Sequence, residues 1–148
     1  NDPVLGNRGY YISQDDGIGL LMQGAREWRN YRVSSKMAVT TAKAFGLAIR
    51  LQGMRRYYAL LLEKPGKAAL VRVYDDEVTR LAETAFEWQV DVKYVFELSA
   101  IGQRLAASID GHTLFDVTDS DIRLDGGAVA YLVDEACILS ASMRVQPA

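Results

Sequence analysis

The residues best suited to binding chemistry in this sequence surround one basic turn. The stretch FGLAIRLQGMRRYYALLLE, residues 45–63, holds three guanidinium groups, an amide and an aromatic ring, namely Arg50, Arg55, Arg56, Gln52 and Tyr57. Arginine binds phosphates and carboxylates through paired hydrogen bonds, and amides and rings suit the hydroxyls and apolar faces of sugars. These five residues are therefore the candidate binding site for a sugar or a phosphate-bearing ligand.

Alternation within the same stretch predicts two strands that place this site on a sheet. Side chains alternate between the two faces of a strand, so Gly46, Ala48 and Ala59 share one face and would form a shallow floor. Arg50 and Tyr57 would stand around that floor together with the other site residues. A solvated sheet face without a ligand stays open as the alternative, because antiparallel sheets commonly bury one side only.

The opposite rows of this hairpin, and similar rows in two later strands, predict the hydrophobic core. The residues expected to face it are Leu47, Ile49, Tyr58, Leu60, Leu62, Phe96, Leu98 and Ile109. Two packed sheets need apolar rows of this kind on their inner faces. The pattern therefore indicates a sandwich of two sheets.

Nothing in the sequence identifies a reaction. His112 is the only histidine, which excludes a Ser-His-Asp triad and a site with several histidine ligands, and no G-x-S-x-G or S-x-x-K motif is present. We therefore expect the isolated chain not to be an enzyme. A glycosidase-like sandwich stays open as an alternative, with Glu63, Glu97 and Asp110 as its carboxylates, because such pairs assemble in space and leave little local motif.

The densest group of carboxylates is a weak candidate for a metal site. It comprises Asp116, Asp119, Asp121 and Asp125. Oxygen-rich loops bind calcium in many proteins, but the spacing here is not that of an EF-hand. A solvated acidic loop is the favoured interpretation, so we expect no cofactor, with calcium as the one alternative.

The two tryptophans suit either sugar stacking or packing. Trp28 and Trp88 each lie among charged neighbours. A large aromatic side chain at the end of a strand usually packs over the edge of a core. We therefore favour the packing interpretation for both.

Composition sets the class of protein. The chain has 148 residues, 49% of them hydrophobic and 24% charged, and a formal net charge of −2. These values are ordinary for one soluble globular domain, so we expect residues 1–148 to form a single domain. The weak negative charge makes nucleic acid an unsuitable partner, and no apolar run approaches the ~20 residues of a membrane helix. A single cysteine, Cys137, cannot form an internal disulfide.

Short alternating segments divided by turn residues run along most of the chain. Hairpins are expected around the turn at residues 14–17 and around Asp110-Gly111, and a final pair of strands at 128–133 and 137–145. Residues 78–86 fit a helix or a strand, and we assign a strand. About a dozen short strands with this spacing predict an all-β sandwich or barrel.

The order of aromatic residues and glycines resembles a known group of modules. The motifs are W-x-x-Y-x-V from Trp28, G-x-x-x-R from Gly46, YYAL from Tyr57, Trp88 with Tyr94, IDG from Ile109 and GG-x-V from Gly126. Together they resemble concanavalin A-like jelly-roll modules of the laminin-G and family-16 glucanase type. Two longer phrases, MQGAREWRNYRV and RLQGMRRYYALLLEK, are similar to the C-terminal β-sandwich domain of bacterial ADP-ribosylglycohydrolase family proteins.

This resemblance implies a two-sheet antiparallel jelly-roll sandwich that serves as a non-catalytic accessory module of a cytoplasmic hydrolase. Its partners would be a glycan or a nucleotide-sugar-like ligand such as ADP-ribose, and the catalytic domain of its own parent chain. A chain that opens with Asn1 fits a domain cut from such a parent. No catalytic residue of the family can be carried over, and a structural or oligomerisation module without a ligand stays open.

Overall fold

The structure is a computed structural model that describes residues 4–5, 10–75, 77–121, 124–140 and 143–148. In these residues it contains twelve strands and no helix. The strands are β1 (Val4–Leu5), β2 (Tyr10–Trp28), β3 (Tyr31–Thr41), β4 (Ala44–Leu51), β5 (Arg56–Glu63), β6 (Lys67–Tyr74), β7 (Glu77–Ala85), β8 (Tyr94–Ile101), β9 (Arg104–Ile109), β10 (His112–Thr118), β11 (Gly127–Ser140) and β12 (Met143–Pro147). The all-β prediction is confirmed.

The strands form two antiparallel layers that share two long strands, β2 and β11. In the first layer the order is β2-β11-β4-β5-β6-β7, and in the second it is β2-β11-β3-β8-β9-β10. β11 pairs with β4 through its first half and with β3 through its second half, so it crosses from one layer to the other. β12 pairs with the start of β3, and β1 pairs with β12. The architecture is an antiparallel jelly-roll sandwich.

Two predicted turns lie within the long strands and are wrong as chain reversals. β2 and β11 run side by side, and their register shifts between the pairs Asp134↔Ile18 and Ala136↔Gln14. Glu135 has a φ of 44°, so the backbone of β11 bends there. Polar residues that indicated turns at 14–17 and at 134–135 therefore belong to bulges, where both strands pass from one layer to the other.

The core lies between the layers. All eight residues predicted to face it are buried there, and they come from β4, β5, β8 and β9. Phe45 of the first layer and Phe96 of the second have ring centroids 5.4 Å apart, so the two layers are in direct contact. The predicted row of core residues is confirmed.

Both tryptophans pack against this core, which confirms the packing interpretation. The Trp88 ring meets Phe45 edge-on at 5.3 Å, and its indole Nε1 donates to the carbonyl of Glu63 at 2.9 Å. Trp28 lies against Tyr31, with 5.7 Å between ring centroids. Neither ring is therefore a free platform for a sugar.

Two further predictions about local structure are confirmed. Residues 78–86 fall almost wholly in the strand β7, and the hairpin at Asp110-Gly111 joins β9 to β10. Both of its turn residues have positive φ, 51° and 82°, as a tight two-residue turn requires. The described residues contain no helix long and apolar enough to cross a membrane.

Candidate binding site

Arg50 does not stand on the outer face of the first layer, where it was expected. It is 2% exposed, and its guanidinium donates to three backbone carbonyls, those of Arg29, Gly102 and Leu124, at 2.7–3.2 Å. Its own backbone N–H donates to the hydroxyl of Tyr31 at 2.6 Å. Arg50 thus connects three loops through hydrogen bonds in the interior of the protein. Burial lowers the pKa of its guanidinium.

A bulge at the end of β4 explains this inversion. Ala128 pairs with Leu51 and Ala130 with Ala48, so three residue steps on β4 oppose two on β11. Arg50 has a φ of 50°, in the left-handed region that non-glycine residues rarely adopt. Because the extra residue breaks the alternation, Arg50 lies on the interior side instead of beside Ala48.

Gln52 and Arg56 are engaged with other parts of the protein. The side-chain amide of Gln52 donates to the carbonyl of Gly126 at 2.7 Å. Arg56 bonds both carboxylate oxygens of Asp75, at 2.9 and 3.3 Å, and its guanidinium lies 4.6 Å from the Tyr74 ring centroid. Arg56 is therefore held within the protein by an ion pair and a cation–π contact.

Tyr57 and Arg55 line a pocket on the outer face of the first layer. This cavity, called the outer pocket below, has a volume of about 410 Å³, within the range of small-molecule sites. Its lining consists mostly of aliphatic side chains, with a few charged groups and one tyrosine: Ile18, Leu20, Ala44, Met54, Arg55, Tyr57, Leu61, Glu63, Val71, Val73, Asp75, Val78, Arg80, Leu132 and Asp134. Of the five residues predicted to bind a ligand, these two are the ones at the outer pocket.

The predicted floor of small residues lies beneath other side chains. Ala48 and Ala59 have no exposed surface and pack with Tyr57 in a second apolar cluster outside the main core. A Cβ atom at Gly46 would collide with the carbonyl of Leu60, so that position accepts only glycine. The two alanines share the face that was predicted, but the cavity is lined by their larger neighbours.

Tyr57 is the most buried polar group of the outer pocket. Its side chain is packed into the second apolar cluster and the residue is only 3% exposed. Among the described residues its hydroxyl has no hydrogen-bond partner. Burial raises the pKa of this hydroxyl, and the negative charge of Asp134 raises it further. The hydroxyl is thus protonated and available to a ligand at neutral pH.

Three carboxylates line the outer pocket, and two of them are neutralised by arginine. Glu63 receives two hydrogen bonds from Arg80, at 2.6 and 3.2 Å, and Asp75 receives the pair from Arg56. Asp134 has neither an ion pair nor a hydrogen bond to its carboxylate within the described part of the chain. Burial raises the pKa of Asp134, against the opposing charge of Lys43.

Each of the four aspartates considered as calcium ligands forms an ion pair with an arginine. Asp116 pairs with Arg104 at 2.6 Å and Asp125 with Arg29 at 3.2 Å. Asp119 and Asp121 both face Arg72, at 2.6 and 3.6 Å. The described residues contain no group of three or more His, Cys, Asp or Glu side chains arranged to hold a metal ion. Although the four aspartates are close together in the sequence, they therefore do not form a metal coordination shell in the part of the chain that the structure describes.

Glu63 lies apart from the other two carboxylates considered for glycoside hydrolysis. Glu63 ends β5 in the first layer, whereas Glu97 lies on β8 and Asp110 in the β9–β10 turn of the second layer. Glu97 is 4.0 Å from Arg32, and Asp110 accepts a hydrogen bond from the Val95 N–H at 2.7 Å. Each has a local partner, and the two layers separate Glu63 from the others.

Comparison with known proteins shows the fold. No protein-family model and no curated protein sequence matches this chain. Among solved structures, the carbohydrate-binding module CBM66 from Bacillus subtilis is similar with a TM-score of 0.80, 16% identity and 93% coverage of both chains. The CBM40 of a Ruminococcus gnavus IT-sialidase, bound to α2,3 sialyllactose, is similar with a TM-score of 0.63, 13% identity and coverage of 93% of this chain and 88% of that one.

The same architecture also occurs within larger enzymes. A β-fructofuranosidase from Aspergillus kawachii is similar with a TM-score of 0.70 and 8% identity, and the match covers 98% of this chain but only 27% of that one. These identities are low, so the comparisons establish a shared jelly-roll fold. The prediction of a concanavalin A-like jelly roll agrees with them.

Proposed function

We propose that this chain is a non-catalytic carbohydrate-binding module and that the outer pocket holds the sugar. The observation that carries the proposal is the Tyr57 hydroxyl, which is protonated and without a partner among the described residues, and which belongs to a buried side chain at the wall of an apolar cavity. Such a hydroxyl can donate a hydrogen bond to a sugar hydroxyl or accept one from it.

The lining matches the two kinds of surface on a sugar. Leu61, Val71 and Leu132 offer aliphatic contacts for the C–H groups of a ring, and the Glu63–Arg80 pair and Asp134 offer acceptors and donors for its hydroxyls. Pockets for small ligands commonly combine an apolar wall with a few placed polar groups. The likeness in fold to two modules named as carbohydrate-binding supports the same function.

A glycan suits this pocket better than an ADP-ribose-like ligand. Arg50 is buried away from the surface, and Arg56 and Arg80 are each held by a carboxylate. Arg55, at the rim, also has an interaction of its own. The pocket in addition carries the Asp134 carboxylate, which would repel a diphosphate. We therefore expect the affinity of the ligand not to depend on a phosphate group.

Attachment to a parent hydrolase, including an ADP-ribosylglycohydrolase, belongs to the same proposal. The fold occupies about a quarter of the β-fructofuranosidase chain, so this architecture does occur as one part of a glycan-degrading enzyme. In such a parent the module would hold the substrate near the catalytic domain. The separate layers that carry Glu63 and Glu97 argue against catalysis within the module itself.

The proposal is tested by a glycan array followed by calorimetry on the wild type and on Tyr57→Phe. Wild type is expected to bind at least one glycan, with an affinity that changes little with salt if the glycan is neutral. Tyr57→Phe removes only the hydroxyl and should weaken binding about two- to tenfold, because one neutral hydrogen bond contributes roughly 0.5–1.5 kcal/mol.

The control is Tyr94→Phe, which removes a hydroxyl that accepts a hydrogen bond from the Gln89 N–H outside the outer pocket. That variant should bind like the wild type. Absence of binding to every glycan, by a protein that melts cooperatively, would overturn the proposed function. Equal binding by wild type and Tyr57→Phe would place the sugar elsewhere on the molecule.

A further inference from the structure

One carboxylate among the described residues of the outer pocket has no arginine bonded to it. Three carboxylates are among the described residues of the lining, those of Glu63, Asp75 and Asp134. Glu63 and Asp75 are each bonded through both oxygens to an arginine. Asp134 is therefore the carboxylate of this lining that has no arginine of its own.

The surroundings of Asp134 make its charge available to a ligand. Asp134 lies on β11 opposite Ile18 and Ala44, whose side chains carry no charge. The Lys43 ammonium lies 3.8 Å from Glu135, the next residue along the chain, and so is shared with that carboxylate. Burial raises the pKa of Asp134, with smaller contributions from the charges of Glu135 and Glu63 and against the opposing charge of Lys43.

A second polar group of the same cavity independently indicates a ligand. The Tyr57 residue is 97% buried by its own neighbours, and its hydroxyl has no partner within the described residues while it lines the cavity. The charge of Asp134 acts on that hydroxyl, so the two groups border the same space. A hydroxyl can donate or accept, whereas an ionised carboxylate only accepts. The pair thus fits a ligand that presents a strong donor beside a hydroxyl.

A protonated amine is the donor that matches an uncompensated carboxylate in a half-buried site. Charge-assisted hydrogen bonds are roughly twice as strong as neutral ones, and a partly excluded solvent weakens their screening. A carboxylate or sulfate on the sugar would instead be repelled by Asp134. Charge alone therefore ranks amino sugars first, neutral sugars second and acidic sugars last.

We propose, on the basis of the proposed function, that the outer pocket selects amino sugars and that Asp134 is the residue that binds their protonated amine. The Tyr57 hydroxyl then bonds a neighbouring hydroxyl of the same ring. Leu61 and Leu132 contact its apolar face. No bond is made or broken, so the inference concerns recognition only.

The test uses an array of matched pairs in the gluco, galacto and manno series, each with an amine or a hydroxyl at the same carbon, together with the N-acetylated and uronic acid forms. Binding is measured at about neutral pH, because burial raises the pKa of Asp134 and a lower pH would begin to neutralise its carboxylate. In at least one series the amine is expected to bind about tenfold more tightly than the hydroxyl, a difference of 1.4 kcal/mol. The N-acetylated form should lose that advantage because it has no charge.

Asp134→Asn keeps the shape of the side chain and removes its charge. This variant should bind the amine and the hydroxyl sugars equally, whereas Asp125→Asn, at an exposed pair with Arg29 outside the outer pocket, should keep the preference. If the preference for amines persists in Asp134→Asn, the inference is overturned. Binding of neutral or acidic sugars without preference for amines overturns it too but leaves the proposed function standing, and binding of no sugar overturns both.

Discussion

Asp119→Ala is expected to destabilise the protein by about 3–5 kcal/mol, because it leaves a buried guanidinium with only the longer contact to the exposed Asp121, at 3.6 Å. Arg72 and Asp119 are 7% and 6% exposed, and one guanidinium nitrogen of Arg72 reaches both carboxylate oxygens at 2.6 and 2.7 Å. Tyr58 donates a third hydrogen bond to the same carboxylate at 2.7 Å. The substitution removes all three at once, and the cost is measured by urea denaturation at neutral pH.

The matched control is Asp116→Ala, at the other end of the same short segment. Asp116 makes an equally short bond to Arg104, at 2.6 Å, but both side chains are largely exposed. Exposed pairs contribute little because water and salt screen them. The account is contradicted if the two substitutions cost the same, since burial is then not what makes the Asp119 pair important.

The same cluster predicts how stability depends on pH. Burial acts to raise the pKa of Asp119, but the hydrogen bonds from Arg72 and Tyr58 and the charge of Arg72 outweigh it and hold that pKa below its ordinary value. The pKa of an unfolded aspartate is about 3.9, so the contribution of Asp119 is complete above that pH and is lost as the pH falls through the lower pKa of the folded protein. The melting temperature of Asp119→Ala should therefore fall less steeply below pH ~4 than that of the wild type.

Arg50→Met is expected to destabilise the protein by at least ~3 kcal/mol, because hydrogen bonds to a charged donor contribute roughly 1.5–3 kcal/mol each. Arg50 is the largest fully buried side chain, and it donates to the carbonyls of Arg29, Gly102 and Leu124. Methionine keeps an unbranched apolar chain but leaves those carbonyls without their donor. Residue 50 has a left-handed backbone conformation, and the substitution would also remove the side-chain hydrogen bonds that hold it there.

Two variants show whether the network, and not the positive charge, is responsible. Arg50→Lys keeps the charge but cannot reach three carbonyls from one planar group, so it should recover only part of the stability. Arg56→Met removes an exposed arginine six residues away in the same hairpin and should change the melting temperature little. Full recovery in Arg50→Lys would contradict the role assigned to the guanidinium.

Much of the fold could be predicted because strands alternate. The row Leu47, Ile49, Tyr58 and Leu60 is apolar at every second position, and the structure buries it between the layers. The Asp110-Gly111 turn was equally readable, because its residue types match the positive φ values that such turns need. Local rules sufficed wherever the local geometry was regular.

The site was harder to predict because bulges break the alternation. Arg50 was placed on the ligand-facing side by counting in steps of two, and one extra residue in β4 reverses that assignment. None of the residues 50–53, with the sequence RLQG, is of a type that indicates a bulge. The prediction of a turn at 14–17 was wrong for a related reason. The polar residues there lie where the strand passes from one layer to the other, and the chain does not reverse its direction.

Asp134 was missed because its position depends on contacts far along the chain. It continues the row Ala128, Ala130 and Leu132 by one more step, so its face could be read from alternation. What the sequence does not show is that β11 lies beside β4, which places Asp134 across Ala44 from Glu63. Such pairing between distant strands is set by the whole sandwich.

The central claim is that a sugar binds in the outer pocket, and it is tested most directly by NMR titration of the ¹⁵N-labelled protein with the tightest-binding glycan of the array. The account predicts that the shifted amide signals cluster on Tyr57, Leu61, Val71, Leu132 and Asp134, which line one cavity of the first layer. Shifts that cluster instead around the small cavity of the second layer, about 80 Å³ in volume and lined by Glu97, Ala106, Ala107, Ser108 and Thr113, would contradict it.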